Sequence, residues 1–310
     1  MNSVMVQHKS PIIVSHSRWS FPMSRAVYKI LTDKVLEMID KGTAPWQRPW
    51  RAGGYRPQNP VSGTKYRGFN YLLLSYMQQA NGWTNHWMTW NQCAERGGTV
   101  KDDQKDKFSL IFFYNFREVL DANDNVTGKI PFLKYFRVYN LSQIDGIEIA
   151  EEIVTEIDTL DVAESIVNGY ADKPEIRFNG NQACYIPVID KINMPERNTF
   201  HTSEGYYATL FHELAHSTGH GSRLNRKEVT SPTYFGSHDY SLEELVAELT
   251  SLFLCDNCGI ANDRGMENSA AYLRGWYSAL KHNPTMFGTA ASRAQKAADY
   301  ILGIKAPTQD

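Results

Sequence analysis

The run "FHELAHSTGH" at residues 211–220 puts three histidines and a glutamate within ten positions. His212 and His216 are four residues apart. On a helix they share a face, one turn apart, so two imidazole nitrogens can meet a single ion. Glu213 lies between them, within reach of a water on the open side of that ion. This is the HExxH arrangement, in which the glutamate serves as general base. The competing reading is an amphipathic helix with a histidine face, and the helical context, with Glu204 in the first turn, favours the metal site. His220 is a poor third ligand, because it would lie roughly 12 Å beyond His212 along a continuous helix. A break at Gly219 would let it fold back, but helix capping is the simpler role.

A catalytic site of this kind needs one more protein ligand and an open position. "YSLEELVAELTSLFL", residues 240–254, offers Glu244 and Glu248, four apart on one face of the next helix. One can bind the metal while the other braces it. Ser241 and Glu244 also fit a capping box, which would occupy Glu244 with backbone. Spacing alone leaves that choice open.

A second chemistry lies upstream. Trp46, Trp50, Tyr55, Tyr66 and Tyr71 alternate with Arg48, Arg51, Arg56, Lys65 and Arg67 in a stretch rich in Pro and Gly. Single-stranded DNA binders need such a mixture, since cations follow the phosphates and aromatic faces stack bases. A loop pinned by aromatic packing is the alternative. Asn70 could bond a base edge or cap the following helix. Residues 41–100 hold seven Lys/Arg against one acid, a local excess of +6 in a chain whose net charge is -2. That asymmetry points to an anionic partner and to binding that weakens with salt. Six of the seven tryptophans fall before residue 91, and Trp87 and Trp90 are expected in a core.

The elements that must position these groups follow from periodicity. Residues 1–23 show none and read as a tail. An apolar stripe from Val27 to Ile39 predicts a helix ended by Gly42, and a second helix is predicted over 69–80. "FSLIFFYNF" and "KIPFLKYFRVYNL" read as a hairpin. Residues 148–175 carry nine acids and one lysine, marking a change of composition near residue 146. A helix over 150–168, a strand "ACYIPVIDKI", and helices near 204–218, 241–257, 268–282 and 290–303 complete the pattern. Cys255 and Cys258 close an apolar helix and read as packing residues rather than as half of a metal or redox site. With 42% hydrophobic and 21% charged residues the chain can bury a core. It has no apolar run of membrane-spanning length and too few cysteines for a disulfide scaffold, so a cytoplasmic protein is expected.

"TLFHELAHSTGHGSRLNR" followed by "YSLEELVAELTS" resembles the zincin-type metallopeptidase domain of ArdC-like antirestriction proteins. "APWQRPW", "NPVSGTKYRGFNYLLL", "WMTWNQCAERGGTV" and "FRVYNLSQIDG" resemble the partner domain of that family, in the expected order. The resemblance spans roughly residues 24–303. It implies an α+β chain with a small sheet-and-helix domain over 24–146 that binds single-stranded DNA. A mostly helical zincin-like metallopeptidase domain would follow over 147–310. It also implies a protein of the kind carried by plasmids and phages, which protects incoming DNA from restriction. By the family's pattern Glu244 is the third ligand of one divalent metal, zinc first, and Glu248 the brace. "CYIPVIDKI" is then the edge strand that would hold an extended peptide. At "TVKDDQKDKF" the chain departs from the family, since Asp102, Asp103 and Gln104 replace part of a more basic run. Two functions fit: a DNA-binding metallopeptidase acting on a protein substrate or restriction-enzyme subunit, or a non-enzymatic DNA-protecting module with a structural or partner-binding metal.

Overall fold

The computed structural model describes residues 20–42, 56–120, 126–149, 159–178, 181–231, 237–260 and 270–304. Helix α1 (Ser20–Asp40) buries Leu31, Val35, Met38 and Ile39 at helical spacing. Helix α2 (Gly68–Asn81) ends at Gly82 in the left-handed conformation that glycine takes freely. Strand β1 (Trp87–Thr89) and helix α3 (Trp90–Glu95) follow, the latter opened by a capping box between Thr89 and Gln92. After β2 (Thr99–Val100) come the two long strands β3 (Ser109–Leu120) and β4 (Val126–Asn140), then β5 (Ile144–Asp145). The sheet order is β1-β4-β3, antiparallel throughout, and β2 pairs separately with β5.

Beyond residue 158 the described chain forms α4 (Thr159–Gly169), β6 (Glu175–Phe178), β7 (Cys184–Ile186) and β8 (Lys191–Met194). Next come α5 (Ser203–Ser217), the short α6 (Lys227–Thr230), α7 (His238–Cys258), α8 (Ala270–His282) and α9 (Met286–Ile301). The architecture is α+β. The single strand expected over 183–192 is instead two. Pro187–Ile189 forms a 3-10 turn, Asp190 takes a left-handed conformation, and the chain doubles back as β8. Proline removes a strand donor and Asp tolerates the left-handed turn, so a run that is apolar on both sides of the bend still breaks. In the resulting sheet β6-β8-β7, β7 lies at an edge.

The main core joins both halves of the sequence. Leu31, Val35 and Ile39 of α1 and Tyr71 and Leu72 of α2 belong to one cluster with α4, α5, α7, α8 and α9. Ala290, Ala291, Ala294 and Ala298 are buried in α9, so along this face the helix presents small side chains to its neighbours. Arg67 pairs with Asp299, and the Gly68 amide donates to Gln295, tying α2 to α9. Cys255 and Cys258 are buried in the same cluster, and burial pushes the Cys258 thiol up to about 12, consistent with packing. Trp87 is fully buried, whereas Trp90, expected in a core, is 43% exposed and touches Tyr139 edge-on. Among the described residues no helix is long and apolar enough to cross a membrane.

One side chain closes the exposed edge of the long hairpin. Asn70 donates through Nδ2 to the Phe112 carbonyl at 2.7 Å and accepts from the Phe112 amide at 2.8 Å. Its carboxamide pairs with β3 as a neighbouring strand would, so it neither caps α2 nor offers itself to a base. Replacing Asn70 with Ala should leave both Phe112 groups unpaired and cost about 1–3 kcal/mol. A urea-unfolding midpoint unchanged from the unaltered protein would contradict that assignment.

Candidate metal centre

Helix α5 is opened by Thr202, whose hydroxyl accepts from the Gly205 amide, and it is buried on almost every side. A histidine face exposed to solvent is therefore not what the "HELAH" spacing encodes here. His212 is buried and His216 nearly so, and their Nε2 atoms approach to 3.1 Å. The Glu244 carboxylate lies 3.5 Å from His212 Nε2 and 3.7 Å from His216 Nε2. One ligand atom from each of the three falls within 4.8 Å of the others. Metal–ligand bonds of 2.0–2.2 Å in a tetrahedral site place donor atoms roughly 3.3–3.5 Å apart. Two neutral imidazoles and a carboxylate at these distances fit a borderline-soft divalent cation, and three protein ligands leave a fourth tetrahedral position to water or substrate.

Glu244 can face the histidines because α7 begins earlier than the sequence suggested. Ser237, not Ser241, caps it, accepting from the Tyr240 amide, so Glu244 stands in the second turn, past the capping position. Tyr240 is hydrogen-bonded to Glu244, and burial together with the charge of that carboxylate pushes its phenol up to about 12.

The far side of each imidazole faces a carboxylate. His216 Nδ1 is 3.1 Å from Glu243, and His212 Nδ1 is 4.0 Å from Glu248. Such partners fix the ring tautomer and turn Nε2 toward an ion. Burial opposes charge on His216, but the Glu243 hydrogen bond and the charges of Glu244, Glu243 and Glu213 outweigh it and lift the imidazole to about 9. Glu243 is itself buried, which disfavours its charge, yet Arg226 and His216 hold it below the ordinary carboxylate range. Arg226 grips Glu243 with two bonds of 2.7 and 2.8 Å and directs its other donors to Thr218 Oγ1 and the Ala215 carbonyl. Gly219 makes that return possible, since a Cβ there would collide with Val229 and crowd the Arg226 guanidinium.

Glu213, the remaining carboxylate of the cluster, is held from the neighbouring sheet. The amide of Tyr185 in β7 donates to its Oε2 at 2.8 Å. Because β7 is an edge strand, that amide faces away from β8 and toward the metal site. Arg223 fixes the strand's turn: it pairs with Asp190, and it donates to the Ser217 carbonyl at 2.7 Å and the Asp172 carbonyl at 3.1 Å. Tyr185 Oη donates to the same Asp190. His220 lies in the turn after α5, bonded to Ser222, and is not part of the cluster.

The structure thus brings His212, Glu213, His216, Glu244 and Glu248 together. Sequence reasoning missed Glu243, Arg226, Arg223 and the Tyr185 amide. Glu243 stood next to a chosen residue, but only the crossing of α5 and α7 shows which glutamate meets Nδ1.

The residues proposed for DNA divide differently. Trp46, Arg48, Trp50, Arg51 and Tyr55 lie outside the described residues. Tyr66 is 4% exposed, packed with Leu74 and Trp87, and has no face to give a base. Arg56 donates to the Tyr66 carbonyl and lies over the Tyr71 ring. Arg67 is paired with Asp299, Asn70 with β3, and Lys65 is exposed.

These features define a zincin-like metallopeptidase domain joined to a smaller sheet-and-helix unit. Residues 161–293 match the family described as zincin-like metallopeptidase, and residues 25–139 match the N-terminal domain of anti-restriction factor ArdC. The chain belongs to the ArdC antirestriction family. It is similar to the crystal structure of antirestriction ArdC protein from the R388 plasmid in its metal-free form, with 34% identity, TM-score 0.71, and coverage of 92% of this chain and 99% of that one. The Mn(II)-bound form of that protein gives 32% identity, TM-score 0.69, and coverage of 91% and 99%. Two Escherichia coli proteins named DNA primase TraC are each 34% identical over 90% and 91% of this chain, which spans only 20% and 28% of their lengths.

Replacing Glu243 with Gln removes the charge behind His216 while keeping its shape. Divalent-metal affinity should fall about 10–100-fold. Competition against a chromogenic chelator measures this, and an unchanged affinity would deny Glu243 its orienting role.

Proposed function

We propose that this protein is an antirestriction factor that binds single-stranded DNA through its N-terminal part and hydrolyses a peptide bond at the α5–α7 centre. The observation that carries the reading is the pairing of a three-ligand cluster with a separately held carboxylate. His212, His216 and Glu244 would hold one divalent cation, zinc first, and a manganese-bound relative supports a divalent ion in this family. A bound cation would supply Lewis-acid polarisation of the scissile carbonyl and of the attacking water.

The chain's own residues do the rest. Glu213 is aimed by the Tyr185 amide, so its second oxygen can accept the proton of the attacking water and return it to the leaving amine. A structural metal would need no base held in this way. On this reading an extended peptide lies along the outer edge of β7, as sheet edges accept peptide ligands, beside the Tyr185 amide that Glu213 already takes. Glu243 and Glu248 behind the imidazoles keep both rings oriented. The substrate on this reading is a protein met where incoming DNA encounters restriction enzymes, in the cytoplasm, a restriction subunit being the first candidate.

Glu213→Gln should bind metal and single-stranded DNA as the unaltered protein does, while peptide hydrolysis falls by about 10²–10⁴. Protection of transferred DNA should fall with it. Full protection by this variant would replace the enzyme with a non-catalytic DNA-protecting module whose metal serves the fold or a partner.

A further inference from the structure

Among the described residues, exposed aromatic rings include Trp90 and gather on the β3–β4 hairpin. At the base of the β3–β4 hairpin one face is covered, with Ile111 and Val138 packed on Leu74 and Trp87. On the opposite face Tyr139 packs with Met88 and Ile144. Further out this cover ends. Phe113 is 45% exposed, Tyr135 51% and Phe136 41%. Phe113 and Phe136 stand edge-to-face, centroids 5.5 Å apart, on one face. Tyr135 lies on the other, two residues from Arg137, whose guanidinium sits 4.2 Å over the Phe108 ring.

The charge of β4 has one sign, whereas β3 pairs Arg117 with Glu118 in sequence. Strand β4, fifteen residues long, carries Lys129, Lys134 and Arg137 and no acid. Lys134 is the Cα partner of Phe113. Rings alternating with cations along an extended ribbon suit a polymer of stacked bases and phosphates. A second copy adding a strand is disfavoured, because Asn70 already occupies the outward amide and carbonyl of Phe112 on the β3 edge. The faces are open, the edge at that point is not.

We propose that the β3–β4 hairpin is a base-stacking element for single-stranded DNA, with Phe113 and Phe136 stacking bases on one face and Tyr135, with Arg137 as a phosphate partner, on the other. This rests on the reading that the chain binds single-stranded DNA, and it adds the hairpin to the contacts expected from the sequence.

Fluorescence anisotropy with a labelled oligothymidylate tests it, using the full chain and Phe113→Ser, Tyr135→Ser and Phe136→Ser. Each substitution falls on an exposed ring, so thermal melts should be unchanged. Each should weaken binding on the order of ten-fold, as expected for loss of one stacked base. Phe136→Trp should retain binding, and its tryptophan emission should be quenched more than that of the unaltered chain as the oligonucleotide is added. That variant keeps the test decisive if a serine variant fails to fold. If the unaltered chain binds no single-stranded DNA, the reading beneath the proposal falls and the stacking element with it. If the unaltered chain binds and the serine variants bind equally well, or Phe136→Trp shows no added quenching, the stacking element alone is overturned and the rings belong to a protein partner.

Discussion

Four carboxylates crowd around two imidazoles in the interior of this protein, and the rest of the structure is arranged to make that tolerable. Glu213, Glu243, Glu244 and Glu248 surround His212 and His216, while Arg226 is matched to Glu243 alone. Like charges at such spacing in a low-dielectric interior repel strongly. The arrangement answers in three ways: one carboxylate is neutralised by a buried guanidinium, one is held by a backbone amide, and the others face imidazole nitrogens. A divalent cation among the three convergent donors would supply the balance.

The fold serves that cluster with two helices and one turn. Helix α5 carries both imidazoles and the base, and α7 crosses it with three glutamates. The segment "HGSRLNR" folds back beneath them. Its two arginines have separate tasks, Arg226 behind the metal side and Arg223 behind the strand that holds Glu213. Gly219 is the residue that lets the chain make this return. The N-terminal helices α1 and α2 pack into the same core as α5 and α7, so the two halves of the sequence form one hydrophobic assembly around the metal centre.

Much of this was legible beforehand. Long helices with apolar residues at 3.6 spacing announced themselves, as did "HELAH", because its chemistry depends on separations within one helix. What stayed hidden depends on the meeting of distant segments. Nothing in "LEELVAE" tells that Glu243 will touch His216 and Glu248 will face His212, and Arg226 carries no local mark of its role. Ser241 looked like a cap because Glu244, three residues on, completes a capping box, but Ser237, four residues earlier, holds that role. The run 183–192 looked like one strand because its hydrophobicity continues through the Pro187 bend. For Tyr66 and Trp90, composition identified aromatic groups but not which would be covered, and the structure exchanges the two expectations.

The central claim is that His212, His216 and Glu244, rather than Glu248, form one divalent-metal site. Metal content after equilibration with buffered zinc, compared for the unaltered chain, Glu244→Ala and Glu248→Gln, tests it most directly. One ion per chain is expected in the unaltered protein and in Glu248→Gln, with loss of that ion in Glu244→Ala. Retention by Glu244→Ala with loss in Glu248→Gln, or an unaltered chain that takes up no stoichiometric metal, would contradict it.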